Sequence, residues 1–308
     1  MSAEVRILET GQIEAPVSAI YHLFLPGRDL FARRAERLRF LSRDHAMGDY
    51  LAFLALLADA QQEVLDQFPE VSLPDADEQA RCREQGKPLL DAGSMKRGPI
   101  WRNGLKIILQ KMRESALPRA ASETVAGLMQ AAEAVLEETA DRILAGNPAE
   151  ISPQELPFVA AALQVYWVQM ASSLREDAFG RPEQGGLCPV CGSYPMAGIV
   201  RSGGAEQGLR YLSCSLCASE WHMVRIKCST CESTQGIDYH ILEGSSGAVK
   251  MESCSDCGFY LKLLYLGKDS GMEALADDLA TLALDMLMEK EGKMRGGPNL
   301  LLHFGRPL

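Results

Sequence analysis

Through the first 180 residues, apolar positions recur at helical spacing. Between Arg28 and Arg43, Leu30, Phe31, Ala35, Leu38 and Leu41 form a stripe with arginines set between them. After Gly48, the run Tyr50 to Leu57 is apolar on nearly every side and predicts a central helix. Pro69 and Pro74 break the pattern at one loop, and Gly93 to Pro99 breaks it at a second. A long helix is predicted from Ser122 to Ala145, striped by Val125, Leu128, Ala132, Val135, Leu136 and Ile143 and ended by Gly146-Asn147-Pro148. A further helix is predicted from Ser152 to Leu174, with Ser152 as N-cap and Pro153 in its first turn. Strand-like alternation is absent from this half, so a helical bundle is the economical architecture.

The pattern changes after Gly180. Gly180 to Gly186 reads as a polar linker, and beyond it the chain is punctuated by cysteine, glycine and serine, with short β-like runs at Leu209 to Leu212, Met223 to Ile226 and Tyr260 to Leu266. Helicity returns after Ser270, where Leu275, Leu279, Leu282 and Met286 share a face; the tail from Gly292, with Gly296-Gly297-Pro298, is expected to lie loosely on the surface. The organisation predicted is multidomain α+β. An all-helical domain (1–180) precedes two tandem four-cysteine modules of the rubredoxin or zinc-ribbon kind (185–226 and 227–267), and a C-terminal helix and tail follow (270–308).

The modules follow from cysteine arithmetic. Of nine cysteines, eight sit at 188, 191, 214, 217, 228, 231, 254 and 257, and adding 40 to each of the first four gives the last four. Each half reads C-x2-C-x22-C-x2-C, and Gly208 to Cys217 aligns in part with Ala248 to Cys257, as an internal duplication would leave it. A CxxC turn sets two sulfurs on one side of a tight knuckle, and a second knuckle opposite closes a tetrahedral four-thiolate site. Cys188, Cys191, Cys214 and Cys217 are thus one candidate ligand set, and Cys228, Cys231, Cys254 and Cys257 the other. Equal 22-residue loops favour pairing within each half; a cross-braced arrangement is the alternative. Four thiolates suit zinc and a single iron alike. A metal that staples a small apolar-poor fold and one that is redox-active both remain open. If the first module is a separate unit, Cys188→Ser disorders residues 185–226 and leaves the helical half intact. Cys82, alone in a polar segment, reads as an incidental thiol.

Composition narrows the functions. The formal net charge of −10 and six Lys/Arg against seven Asp/Glu between Gly185 and Tyr265 exclude a general nucleic-acid binder. The N-terminus shows no basic and apolar leader, and the most apolar stretch, Leu156 to Ala171, is interrupted by Pro157, Gln164 and Gln169. A buried helix, no membrane span and a cytoplasmic protein are expected. Eight paired cysteines in a reducing compartment are metal ligands rather than disulfides. Arg28, Arg33, Arg34, Arg37, Arg39 and Arg43 read as a basic helix face, either solvated and paired with acids or aimed at an acidic partner. There is no phosphate loop, dinucleotide fingerprint or nucleophile elbow, so the expectation is a protein without catalysis of its own. Trp221, His222 and Arg225, held between two knuckles, are the candidate partner contacts, with packing between modules as the rival role.

The chain resembles the formate dehydrogenase accessory (maturation) protein family, FdhE. The residues that carry the resemblance are Cys188-Pro-Val-Cys-Gly-Ser-Tyr-Pro, Gly208 through Glu232, Cys254-Ser-Asp-Cys-Gly-Phe-Tyr-Leu-Lys, and Asp277 through Asp285, with Arg37 to Leu41 and Tyr50 to Gln61 upstream. It spans nearly the whole chain, and all four CxxC knuckles match. The resemblance implies a cytoplasmic factor that binds the immature catalytic subunit of a respiratory formate dehydrogenase before twin-arginine export, with rubredoxin-type iron in its cysteine sites. An electron-transfer or redox-sensing protein with two such irons is the alternative. The family supplies no partner contacts to carry over, and the oligomeric state stays unassigned.

Overall fold

The computed structural model describes residues 22–146 and 151–302. The N-terminal segment Met1 to Gly11, the helix terminator Asn147-Pro148 and the last six residues lie outside them. A helical half precedes a sheet-rich half, as the periodicity predicts.

Helix α1 (Leu30–Leu41) buries Leu30, Phe31, Ala35 and Leu38 against α2 (Gly48–Asp66), whose apolar run is central. The polar segment around Cys82 forms a short helix, α3 (Ala76–Glu84), capped by Asp75, whose side chain accepts from the Glu78 amide. Cys82 is half-buried there. Helix α4 (Ile100–Glu114) starts where the Gly93–Pro99 loop ends, and lays Trp101, Leu105, Ile108, Leu109 and Met112 on its neighbours.

The long helix expected from Ser122 to Ala145 is two: α5 (Arg119–Gln130) and α6 (Glu133–Leu144), separated by extended Ala131 and Ala132. Each serves a different partner. Val125 and Leu128 of α5 face α4, whereas Leu136, Ala140 and Ile143 of α6 face α7 (Leu156–Ser172), leaving Val135 exposed. A straight helix cannot point one stripe at both, and the break re-aims it. Helix α7 starts four residues later than expected. Ser152 caps a preceding turn through its carbonyl, and Pro157, not Pro153, occupies the first helical turn. Every residue from Leu156 to Ala171 is buried, which makes α7 the axis of the core. Among the described residues no helix is long and apolar enough to cross a membrane.

Residues 180–186 are no free linker. A side chain on Gly180 would strike the Arg83 carbonyl, and one on Gly186 the Ser229 carbonyl, so both glycines are packed junctions.

The sheet contains β2 (Pro195–Val200), β3 (Arg210–Cys214) and β4 (Glu220–His222) from the first module. The second module supplies β5 (Ile237–His240), β6 (Val249–Cys254) and β7 (Phe259–Tyr265). Two short strands complete it, β1 (Leu23–Phe24) from the N-terminal half and β8 (Met294–Arg295) from the tail. The order is β1-β4-β3-β2-β7-β6-β5, with β8 also on β7. The modules are therefore fused: β2 pairs with β7 in parallel, Gly198 opposite Leu263. Met223 to Ile226, expected as a strand, is a turn after the three-residue β4.

The C-terminal helix is also broken, into α8 (Ala274–Ala280) and α9 (Leu282–Lys290) at Thr281. Leu275 and Leu279 are buried, but beyond the break the buried face turns to Leu284 and Met288, leaving Met286 exposed. The tail is not loose. Asn299 and Leu301 are fully buried, and Tyr50 donates to the Leu301 carbonyl. Arg295 pairs with Asp278 and Asp285 beside buried Lys262, so two acids and two bases close a network that fastens the tail to the sheet.

Candidate metal centres

Each sulfur is placed by one of two recurring devices. Cys188 and Cys191 lie on the turn before β2, Cys214 ends β3, and Cys217 lies on the turn into β4; the second set repeats this around β5, β6 and β7. In every knuckle the residue after the second cysteine takes a positive φ: Gly192 (73°), Ala218 (56°), Glu232 (61°) and Gly258 (77°). That left-handed step folds the chain back, so Gly192 N donates to the Cys188 carbonyl (2.9 Å) and Glu232 N to the Cys228 carbonyl (3.1 Å). Cys188 N and Cys228 N close the same loops on Ser193 O (3.0 Å) and Ser233 O (2.8 Å).

The eight cysteines gather as two sets of four, each with its sulfurs within 4.8 Å of one another. Sγ separations are 3.6 Å for Cys188–Cys217 and 3.4 Å for Cys191–Cys214. In the second set they are 3.7 Å for both Cys228–Cys257 and Cys231–Cys254. A tetrahedron with bonds near 2.3 Å has edges of about 3.8 Å, so both donor sets fit one tetrahedral ion. The pairing lies within each half, and the cross-braced alternative is not what the fold contains. Amides support the sulfurs: Leu216 N donates to Cys214 Sγ and Thr230 N to Cys228 Sγ, both at 3.4 Å. Burial pushes the Cys188 and Cys214 thiols well up, while in Cys191 hydrogen bonds from Cys188, Cys214 and Cys217 outweigh burial and hold it well below the usual range. In the second set burial pushes Cys257 up to about 12, and the Ser233 amide holds Cys231 down.

The two sets differ in their surroundings. All four sulfurs of the first are buried and belong to the core that runs through the helical half. Helical-half residues hold both of its knuckles: Leu90 N donates to Val190 O, Ala92 N to Cys191 O, and Gln164 Nε2 to Ser215 O, each at 2.9 Å. In the second set Cys231 is exposed and Cys257 half-buried. Nothing in the repeated cysteine spacing announces this difference, nor the role of Gln164.

Trp221 is completely buried, paired through β4 with Leu23 and Leu212, and its indole donates to the Gly185 carbonyl at 2.8 Å. Of the candidate partner contacts Trp221 is therefore not exposed, because β4 is an inner strand once β1 covers it. His222 is half-buried, its ring edge-on to Tyr211 at 5.7 Å. Arg225 lies over Tyr265, 3.3 Å from its hydroxyl. The most exposed side chains in this connector are Val224 and Ile226, 51% and 67% exposed. Beneath them Arg210, fully buried, pairs with Glu252 of the second module and donates to the Val224 and Lys227 carbonyls at 2.7 Å. Sequence reasoning missed this pair; an arginine inside a strand carries no mark of burial.

The basic face of α1 is divided as well. Arg34 is buried on Glu273 and Arg37 grips Asp277 and Asp269, whereas Arg33 and Arg39 make solvated pairs with Asp29 and Asp59. Arg28 turns to Gln169.

Three family models match: "FdhE, N-terminal" over residues 20–182, "FdhE, central domain" over 187–225 and "FdhE, C-terminal domain" over 226–302. A protein of Edwardsiella ictaluri called "Protein FdhE homolog" is 44% identical over 98% of this chain and 99% of its own length. A protein of the same description from Pseudomonas aeruginosa is 43% identical over 96% of this chain and 97% of its own. The crystal structure of the FdhE protein from Pseudomonas aeruginosa superposes with a TM-score of 0.85 at 42% identity, covering 92% of this chain and all of that one.

Proposed function

The chain belongs to the FdhE family, and from that premise we propose that it is a non-catalytic maturation factor for a respiratory formate dehydrogenase. In this reading it acts in the cytoplasm, binding the immature catalytic subunit before export. Each four-cysteine set holds one metal ion, iron in preference to zinc. The observation that carries the proposal is the coincidence of a family match along nearly the whole chain with two complete tetrahedral thiol sets.

A bound ion supplies a cross-link: four thiolates tied to one centre fix the two knuckles of a module against each other. The chain's own residues do the rest. Arg210 and Glu252 lock the modules into one sheet, and the connector between them presents Val224 and Ile226 to solvent above that lock. We assign client contact to this connector, with Arg225 at its side and Trp221 and His222 shaping it from below. The exposed apolar pair suits an unfinished polypeptide with core still uncovered.

Deletion of the gene should abolish respiratory formate oxidation while the catalytic polypeptide is still made. Val224→Asp with Ile226→Asp should weaken capture of that polypeptide at unchanged metal content. Intact formate oxidation in the deletion strain would overturn the client, and undiminished capture by the double variant would overturn the surface. Anaerobically purified protein should carry two ions per chain, each with four sulfurs near 2.3 Å by X-ray absorption.

A further inference from the structure

We infer that the two metal centres have different kinetic characters: the Cys188/Cys191/Cys214/Cys217 centre is a permanent part of the fold, and the Cys228/Cys231/Cys254/Cys257 centre exchanges its ion with the surroundings. The inference rests on the reading that both sets hold metal. Duplication makes equivalent positions directly comparable; Cys188 and Cys228, and Cys214 and Cys254, are buried alike, and the difference lies at the second cysteine of each knuckle. Cys191 is fully buried, and its equivalent Cys231 is exposed. Cys217 is fully buried, and its equivalent Cys257 is half-buried. The two glycine-backed knuckles, which are not duplicates of one another, differ likewise: Gly192 behind Cys191 is packed against Pro88 and Asp91 of the helical half, whereas Gly258 behind Cys257 has, among the described residues, no neighbour within 4 Å of where a side chain would start.

The supports behind the sulfurs differ in the same sense. Leu90, Ala92 and Gln164 bond to the first centre's knuckles, so those sulfurs separate only when core elements move. In the second centre one knuckle packs on Gly186 at the Ser229 carbonyl, and both knuckles flank the β5–β6 hairpin. Among the described residues that hairpin is the end of the sheet, and Asp238, Tyr239 and His240 of β5 are all exposed. Local openings of such an edge have a much smaller free energy than openings of a core. An incoming thiol or chelator can also reach Cys231 without any opening. With an ion bound, loss from the second centre would be a ligand substitution beginning at Cys231, the external donor taking the metal and the four freed thiolates taking up protons. No redox change is involved.

The experiment uses the full chain loaded with two equivalents of Zn2+ and challenged with excess 4-(2-pyridylazo)resorcinol. Release should occur in two phases of one equivalent each, the second slower by roughly tenfold or more. N-ethylmaleimide present during the reaction should label Cys231 and Cys257 in the fast phase and the first set only in the slow one, as read by peptide mass mapping. Hydrogen exchange should show the segment 237–254 losing protection with the first equivalent. Cys231→Ser should delete the fast phase and keep the slow equivalent. Single-phase release of two equivalents, or fast-phase labelling of Cys188 or Cys191, overturns the inference with both centres still metal sites. A chain that cannot be loaded with two ions overturns the metal reading beneath it, and this inference with it.

Discussion

Four left-handed residues, one behind each second cysteine, fold the chain back at the knuckles. Gly192 and Gly258 adopt that conformation freely, whereas Ala218 and Glu232 hold it at a steric cost of about 1 kcal/mol each. Glu232 has compensation, since its carboxylate accepts from the Gly185 amide at 2.7 Å and pairs with Lys227. The spacing of the cysteines is legible in sequence because metal geometry dictates it; the burial that separates the sets is not, because it depends on what packs over each turn. This allows a graded prediction. Gly192→Ala would place a methyl 3.1 Å from Asp91 Oδ1 and 3.2 Å from Pro88 Cγ, on top of the φ penalty. It should cost about 2 kcal/mol or more in denaturant titrations of the metal-loaded protein. Gly258→Ala meets open space and should cost about 1 kcal/mol. Ala218→Gly should be neutral or slightly stabilising. Equal losses at 192 and 258 would show that conformation alone, not packing against the helical half, sets the difference.

At the level of elements, helices were readable where one stripe set the buried face, as in α1, and where the run was apolar nearly all round, as in α2 and α7. Periodicity misled wherever a stripe had to serve two neighbours, since the breaks at Ala131-Ala132 and Thr281 carry neither glycine nor proline. The arginines of α1 show the same limit: which of them face inward depends on acids some 240 positions away, Glu273 and Asp277 of the α8 region. Arg34 and Glu273 are both nearly inaccessible, with relative exposures of 2% and 9%. Arg34→Ala leaves Glu273 buried without its partner, and should cost about 3–5 kcal/mol. Arg39→Ala breaks only a half-exposed pair with Asp59 and should cost less than about 1 kcal/mol. Parallel thermal melts check both, and similar small losses would place Arg34 on a solvated face after all. Arg34→Met with Glu273→Leu should recover much of the loss, since apolar residues of similar volume remove the orphaned charge.

Across the whole molecule, the duplication visible in sequence becomes a translation within one sheet. The strands β2, β4, β5 and β7 all run the same way, because β3 and β6 are each antiparallel to their neighbours and β2 is parallel to β7. That junction does not follow the 40-residue offset, which relates β2 to β5, so no repeat analysis would find it. The fusion, and the shared core around the first centre, bear on how the chain unfolds. Treated as a free-standing module, residues 185–226 would melt alone when Cys188 or Cys191 is lost. The contacts point elsewhere: the Trp167 indole donates to Leu90 O at 2.9 Å, and Leu90 N in turn donates to Val190 O between the two cysteines. Gln164, on the same helix as Trp167, reaches Ser215 between the other two. Cys191→Ser removes one of the four candidate ligands, leaves a polar group in a dry site and loosens the turn to which the 90–92 loop is bonded. A combined loss of about 3 kcal/mol in a chain of this size corresponds to a fall in Tm of roughly 4–6 °C. That fall should be visible in the fluorescence of Trp101 and Trp167, both fully buried in the helical half, and hydrogen exchange should quicken in α7. Cys231→Ser, at the β5 end of the sheet, should leave the same signals within about 2 °C of the parent. If Cys191→Ser loses its ion while α7 keeps its protection, the helical half and the first module are separate cooperative units, and the shared core between them is contact without coupling.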